Sequence, residues 1–217
     1  MRFAAIETST EWCSVALWRD GRISSVERRA PNRHSEFALP MLESLLEESN
    51  MQPVELQAVA FGAGPGSFTG LRIACGLAQG LALARGLPVI GVSSLAAMAE
   101  ESGAPRVVAC IDARMREVYY AALEKEGPGW VETIPAQCVA PQEVKVPGEG
   151  WVGCGNGFAV YAISGFARVM PEIHPTAMAV AKLAAPRFAA GEGVDAALAA
   201  PLYVRDKVAL TMDEQHG

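Results

Sequence analysis

Aromatic side chains and long apolar segments are scarce in this sequence. Aromatic residues make up 7% of the 217 residues although 51% are hydrophobic, and much of the apolar share is alanine. Arg72, Gly76 and Arg85 interrupt the longest apolar-looking stretch, which runs from Leu71 to Leu87. No membrane span is therefore expected. Glu7 follows directly on the short first apolar run, so the sequence also predicts no signal peptide and a cytoplasmic location.

Basic residues are outnumbered by acidic ones. Eighteen lysine and arginine residues stand against 24 aspartate and glutamate residues, which gives a net charge of −6. Phosphate contacts dominate the affinity of proteins for nucleic acid, and they require a basic surface. If a nucleic acid is involved, we expect another subunit to hold most of it.

Cysteine pairs and metal-binding motifs are missing. The five cysteines are scattered without any C-x-x-C spacing, which predicts free buried thiols in a reducing compartment: Cys13, Cys75, Cys110, Cys138 and Cys154. The three histidines, His34, His174 and His216, are isolated from one another, so no metal site is predicted. A G-x-S-x-G nucleophile motif and a P-loop are also absent. The sequence thus predicts no catalytic residue and a protein that is not an enzyme by itself.

The pattern of apolar residues predicts strands alternating with helices. Three strands are expected in the first 30 residues, with a hairpin turn at Asp20-Gly21. A helix is predicted over Ser35–Glu48, where Pro40 should mark the first turn or a kink. A second helix is predicted over Thr69–Arg85, ended by the glycine and proline that follow it.

One pattern occurs twice along the chain. The segment from Ala5 to Leu17 is echoed by the segment from Cys110 to Ala122. In each, an apolar strand ends on an acidic residue, Glu7 or Asp112, and the chain turns and returns as an alternating strand. Two ordinary, unrelated hairpins could share this pattern by coincidence. The alternative is a duplicated α/β fold of two related lobes, spanning residues 1–103 and 104–217.

A glycine-rich loop from Gly62 to Gly70 precedes the second helix. Four glycines in these nine residues allow either a tight structural turn or close approach of an anion or nucleotide to the helix start. The acids of the two hairpins could face each other between the lobes, with the hydroxyls and backbone of the first turn around phosphate and the second acid, Asp112, holding magnesium-bound water. Alternatively, both acids could simply face solvent. The candidate nucleotide or anion contacts are Thr8, Ser9, Thr10, Gly66, Ser67 and Asp112.

The two helices of the first half carry apolar residues over more than one face. A helix in a half-exposed layer needs only one apolar stripe, so the excess indicates deep burial or a partner protein. The candidate partner contacts are His34, Phe37, Met41, Leu45, Leu71, Cys75 and Gln79.

Several blocks in order along the chain resemble the bacterial TsaB (YeaZ) family. The blocks are Ile6–Glu11 with Cys13–Leu17, His34–Glu36, Gly64–Ile73, Ile111–Met115 with Glu117–Tyr119, and Pro201–Asp206. The resemblance covers nearly the whole chain. Glu7 is a departure, because aspartate is commoner there in the family, and it weakens any nucleotide contact at this turn.

The resemblance implies an actin/hexokinase-like (ASKHA, ribonuclease H-like) fold. It also implies a non-catalytic subunit of the complex that installs N6-threonylcarbamoyl on adenosine 37 of tRNA. In such a complex a TsaD-type subunit carries the metal and substrate site, a TsaE-type ATPase joins it, and ATP and magnesium are bound by these partners. The TsaB-type chain contacts the TsaD-type subunit through its first-lobe helices, meets tRNA only indirectly, and can self-associate through a similar surface.

Two other functions stay open from the residues alone. The first is a nucleotide-binding phosphotransferase of the actin/hexokinase class, built on the candidate nucleotide contacts. The second is a peptidase, since relatives have carried glycoprotease labels. The sequence offers no activated nucleophile or metal triad for the peptidase alternative.

Overall fold

Two five-stranded sheets organise the computed structural model, which describes residues 1–205. The strands are β1 Arg2–Glu7, β2 Trp12–Arg19, β3 Arg22–Arg29, β4 Ala58–Gly64, β5 Val89–Ser93, β6 Arg106–Arg114, β7 Glu117–Glu126, β8 Gly129–Val139, β9 Val152–Cys154 and β10 Arg168–Met170. The helices are α1 His34–Glu48, α2 Phe68–Leu83, α3 Ser94–Ser102, α4 Gly157–Val160 and α5 Ala177–Ala189.

The first sheet has the strand order β3-β2-β1-β4-β5. The central strand β1 pairs antiparallel with β2 and parallel with β4. Asp20 and Gly21, with φ of 51° and 91°, form the tight turn between β2 and β3. Both central residues of a type I′ hairpin turn need positive φ, so the predicted Asp-Gly turn is confirmed.

The second sheet repeats this arrangement around β6. Its order is β10-β9-β6-β7-β8, with β6 antiparallel to β7 and parallel to β9. A hairpin on one side of the central strand and parallel strands on the other are therefore found in both sheets. The repeated sequence pattern reflects a duplicated fold, and the alternative of two coincidental hairpins is wrong.

Helix α5 packs on the first sheet although it lies in the second half of the chain. The Phe188 ring of α5 lies 5.0 Å from the Phe3 ring of β1. The amide of Ala177 donates to Ser14 Oγ of β2 at 2.9 Å. The division of the chain at residues 103 and 104 stays a prediction, and a helix from beyond this point completes the core of the first lobe.

Helices α1 and α2 lie side by side on the opposite face of the first sheet. Helix α1 continues through Pro40, which lies in its second turn rather than its first. The buried apolar side chains of α1 are Ala38, Leu42, Leu45 and Leu46, and those of α2 are Leu71, Ala74, Cys75, Ala78 and Ala82.

The thiols match the prediction with one exception. All five cysteines are free, four are buried, and Cys138 is half-buried. Burial raises the pKa of the Cys13 thiol to about 11, which keeps it protonated at neutral pH. Across residues 1–205 there is also no helix with the length and apolar character needed to cross a membrane.

Two glycines of α2 provide a matched test of how closely this helix packs against the turn between β1 and β2. A Cβ added at Gly70 would lie 1.9 Å from the Thr8 carbonyl oxygen, whereas one added at Gly76 would meet nothing within 4 Å. We expect Gly70→Ala to lower the free energy of unfolding by about 3 kcal/mol. Gly76→Ala should raise it by about 0.5–1 kcal/mol, because alanine loses less backbone entropy in a helix. Urea unfolding measures both, and equal effects of the two substitutions would contradict the packing.

Candidate functional site

A cleft of about 430 Å³ lies between the two sheets, where the ends of β1, β4 and β6 come together. The structure brings five of the six candidate nucleotide or anion contacts to its walls: Ser9, Thr10, Gly66, Ser67 and Asp112. Thr8 is the exception. It is fully buried, and its hydroxyl donates to the Gly70 carbonyl oxygen at 2.7 Å.

The glycines of the loop before α2 allow the β1–β2 turn to pack closely against it. A Cβ at Gly62 would lie 1.8 Å from Glu7 Oε2, and one at Gly66 would lie 2.5 Å from the Ser9 carbonyl oxygen. The amide of Ser67 donates to that same Ser9 oxygen at 2.7 Å. The sequence left two interpretations of this loop open, a tight structural turn or the close approach of an anion or nucleotide. Close packing of the loop against the β1–β2 turn explains why glycine is needed at these positions.

Glu7 faces neither solvent nor the cleft. Its residue is 1% exposed, and Oε1 accepts the Ser9 amide at 2.6 Å while Oε2 accepts the Ser94 hydroxyl at 3.1 Å. Burial raises the pKa of the Glu7 carboxyl above its usual value, against the opposing effect of these hydrogen bonds. The expectation that Glu7 lines a shared phosphate or magnesium site is therefore wrong, because its carboxylate is enclosed by its own turn.

Asp112 does line the cleft, but its carboxylate oxygens already have hydrogen-bond and ion-pair partners. Its Oδ1 accepts the Arg114 amide at 2.9 Å and the Tyr161 hydroxyl at 3.1 Å. Its Oδ2 forms an ion pair with the Arg114 guanidinium at 3.1 Å. A carboxylate with these partners is a poor magnesium ligand, since hard cations bind oxygens that are free to turn toward them.

The acidic residues of the two hairpins, Glu7 and Asp112, therefore do not form a magnesium site. Glu7 is enclosed and Asp112 is neutralised by a guanidinium. Within the described range 1–205, no three histidine, cysteine or acidic side chains cluster closely enough to hold a metal ion. This geometry disfavours the phosphotransferase alternative, which needs charged oxygens around a metal-bound phosphate.

His34 was predicted as a partner contact but lines the cleft. Its residue is 6% exposed, and its Nε2 has no hydrogen-bond partner in residues 1–205. Burial lowers the pKa of the imidazole, against the opposing effect of the Thr10 and Trp12 backbone and of Glu11. The imidazole is therefore neutral at pH 7.

The other predicted partner contacts fall into two groups. Leu45, Leu71 and Cys75 are at most 5% exposed and pack inside the first lobe. Phe37, Met41 and Gln79 are half-buried on the helix surface. The Gln79 amide and the Cys75 thiol both donate to the Ala199 carbonyl oxygen, at 3.1 Å and 3.4 Å, so they fix the returning C-terminal segment.

The residues that follow this contact, Leu202–Arg205, form part of the cleft wall, a role that the sequence did not indicate. The Leu202 amide donates to the Ala63 carbonyl oxygen of β4 at 2.7 Å. The Arg205 guanidinium donates to the Ala113 carbonyl oxygen of β6 at 3.1 Å. The block from Pro201 to Asp206 was visible only as part of the family resemblance, and its last residue lies outside the described range.

Comparison with known proteins gives consistent matches along the chain. Residues 26–150 match the sequence model of a family described as TsaD, tRNA N6-adenosine threonylcarbamoyltransferase. The chain is 39% identical to the tRNA threonylcarbamoyladenosine biosynthesis protein TsaB of Escherichia coli, with 96% of each chain covered. It is 34% identical to the protein of that name from Haemophilus influenzae, with 94% of this chain and 93% of the relative covered. A solved structure described as YeaZ from Pseudomonas aeruginosa has a TM-score of 0.89 at 39% identity, covering 93% of this chain and 99% of that one.

Two sheets of the same strand order, joined across a central cleft, define a two-lobed α/β protein of the actin/hexokinase-like (ASKHA, ribonuclease H-like) class. Sequence identity over nearly the full length narrows this class to one family. The chain belongs to the TsaB (YeaZ) family.

The enclosed Glu7 carboxyl gives a pH-dependent prediction. Its folded-state pKa lies above its unfolded value, so the folded protein binds the proton more tightly. The resulting stabilisation is fully present below the unfolded pKa and is lost as the pH rises through the folded pKa. Glu7→Gln keeps the shape but cannot ionise, so we expect its stability to rise relative to the wild type between acidic and neutral pH. Urea unfolding across pH measures this difference, and parallel stability curves would contradict it.

Proposed function

We propose that this protein is a non-catalytic subunit of a complex that makes threonylcarbamoyladenosine in tRNA, in which it binds a TsaD-type catalytic subunit. The names of the full-length relatives support the role in this modification. The observation that carries the subunit role is a half-buried apolar face on α1 and α2, combined with a cleft in which the nearby acids already have hydrogen-bond or ion-pair partners.

The docking face is a half-buried ridge between α1 and α2 with open space beside it. Large apolar side chains on both helices are only partly covered, and two glycines one turn apart on α2 have no neighbour within 4 Å of an added Cβ. The face comprises Phe37, Met41, Ile73, Gly76, Leu77 and Gly80. A partner helix could approach the α2 backbone closely at the glycines and cover the ridge, which would bury apolar area that is now exposed.

The predicted partner contacts that are buried lie between the helices and the sheet, and they hold the docking face in position. Leu45, Leu71 and Cys75 fix the positions of the two helices on the sheet. A polar substitution at any of them would test folding rather than docking, because it would place a polar group in the core. In our proposal Phe37 and Met41 make the direct contacts on α1, and Gln79 borders the face on α2.

Catalysis and cofactor binding are assigned to the partners. With Glu7 enclosed and Asp112 paired, this chain offers no open acid pair for magnesium and ATP, so we infer that a TsaD-type subunit and a TsaE-type ATPase hold them. The net charge of −6 supports indirect contact with tRNA through the complex, located in the cytoplasm. Without a partner, we expect the docking face to pair with a second copy of this chain.

A substitution at Gly80 tests docking without disturbing the core. Gly80→Arg places a long charged side chain on the docking face at a helical site with open space, so the fold should be kept. We expect binding to a TsaD-type subunit to weaken on the order of 100-fold, because a guanidinium would be buried in an apolar contact. Calorimetric titration measures the affinity, and sedimentation should show less self-association.

Gly148→Arg is the matched control. Gly148 lies in an exposed loop of the second lobe, also with nothing within 4 Å of an added Cβ. Its binding should equal that of the wild type, and both variants should keep the wild-type melting temperature or exceed it. Wild-type affinity in Gly80→Arg would contradict the docking face, and threonylcarbamoyl transfer by the isolated chain would contradict the non-catalytic role.

A further inference from the structure

Exposed aromatic and arginine side chains continue the docking face along α2. Phe68, Arg72, Gly76 and Gly80 follow one another at intervals of four residues, so each neighbours the next on one side of the helix. The two glycines belong to the docking face. Phe68 is 42% exposed and Arg72 is exposed as well, so this side of the helix stays uncovered up to its first turn.

The side chains at this end of α2 are exposed but held in position. The Arg72 guanidinium lies 3.8 Å from the centre of the Phe68 ring, and its Nε donates to the Tyr203 hydroxyl at 3.1 Å. The Tyr203 ring lies 5.6 Å from the Phe68 ring and is also half exposed. Side chains that are already fixed lose little conformational entropy when a partner covers them, and arginine and tyrosine are enriched among the residues that dominate protein interfaces.

The same surface extends across the cleft onto the second lobe. Arg205 makes the connection, because its guanidinium donates to the Ala113 carbonyl oxygen at 3.1 Å and lies 3.8 Å from the Met115 sulfur. Met115 is 57% exposed, and the arginines on either side of it in the sequence are exposed too. We call this surface the arginine rim, and it comprises Phe68, Arg72, Arg114, Met115, Arg116 and Tyr203.

The turn that carries Met115 and Arg116 has a conformation that disfavours both residues. These two residues connect β6 to β7, with φ of 54° and 61°. A two-residue hairpin turn with positive φ at both positions favours Asn-Gly, and the left-handed region costs other residues free energy. Exposed methionine and arginine side chains add nothing to the core here, and local strain of this kind is typical of functional sites.

The charge of the arginine rim is opposite to that of the whole chain. Arg114 is paired with Asp112, whereas Arg72 and Arg116 form no ion pair within residues 1–205. Two uncompensated guanidiniums therefore lie among half-exposed apolar side chains, on a chain with a net charge of −6. This combination fits a protein surface that carries carboxylates, because guanidinium groups bind carboxylates through paired hydrogen bonds. An RNA would also meet the repulsion of the remaining acidic surface.

We infer that the arginine rim extends the contact with the TsaD-type subunit from the docking face onto the second lobe, and that this subunit presents carboxylates to Arg72 and Arg116. This contact rests on the proposed function, since the rim continues the docking face along α2. The apolar docking face supplies most of the buried area. The charged rim fixes the orientation of the partner and speeds its association, as complementary charges do at protein interfaces.

A double substitution separates the role of the rim from its effect on folding. Met115→Asn with Arg116→Gly installs the turn sequence that positive φ favours, so the melting temperature of the full-length protein should rise. We expect its affinity for a TsaD-type subunit to fall about tenfold, mainly through slower association. Arg72→Ala should act in the same direction, and both losses should shrink at about 1 M salt, where charges are screened within about 3 Å. Biosensor kinetics at low and high salt measure these changes.

Arg168→Ala is the matched control, because it removes one exposed arginine of the second lobe outside the rim and should keep the wild-type affinity. Wild-type affinity in the double variant and in Arg72→Ala would overturn the rim contact and leave the proposed function standing. A wild-type chain that does not bind the TsaD-type subunit would overturn both. If the rim variants instead lose affinity for tRNA, or lose self-association in sedimentation, the rim binds RNA or a second copy and the inference is wrong.

Discussion

The buried carboxylate of Glu7 holds together the centre of the first lobe. It accepts hydrogen bonds from the backbone of its own turn at Ser9 and from the Ser94 hydroxyl at the start of α3. Gly62 of β4 leaves the space that this carboxylate fills. Three segments distant in sequence therefore meet at one acid, which fixes the β1–β2 turn relative to β4 and to the start of α3. A buried carboxyl group is tolerated here because hydrogen bonds surround it.

This arrangement also determines what the cleft can do. In a two-lobed fold, the turn after the first strand and the matching turn of the second lobe face each other across the cleft. Here the first acid is directed inward and the second is paired with a guanidinium, so neither is free to coordinate a metal.

The proposed docking face and the cleft wall use different parts of the same helix. The first turn of α2 faces the cleft through Ser67 and Phe68, whereas Gly76 and Gly80 lie further along the helix on its exposed side. Cys75 and Gln79 contact the C-terminal segment that returns from the second lobe. Helix α2 therefore contributes to the proposed docking face and to the cleft wall, and it contacts Ala199, which leads to the Leu202–Arg205 segment.

The sequence by itself determined the strand and helix pattern, the duplicated hairpins, the free cysteines and the family, because these depend on local periodicity and on ordered blocks of residues. It could not decide the direction of the Glu7 side chain, since one more methylene group allowed either an exposed or an enclosed carboxylate. It could not assign His34 to the cleft, or separate the buried Leu45 and Leu71 from the half-buried Phe37 and Met41, because a helix with apolar residues on several faces has no single inward direction in sequence. Only the tertiary structure decided these points, since burial depends on which distant segments pack against each residue. The path of Leu202–Arg205 across the cleft was likewise set by contacts to Ala63 and Ala113, far away in the sequence.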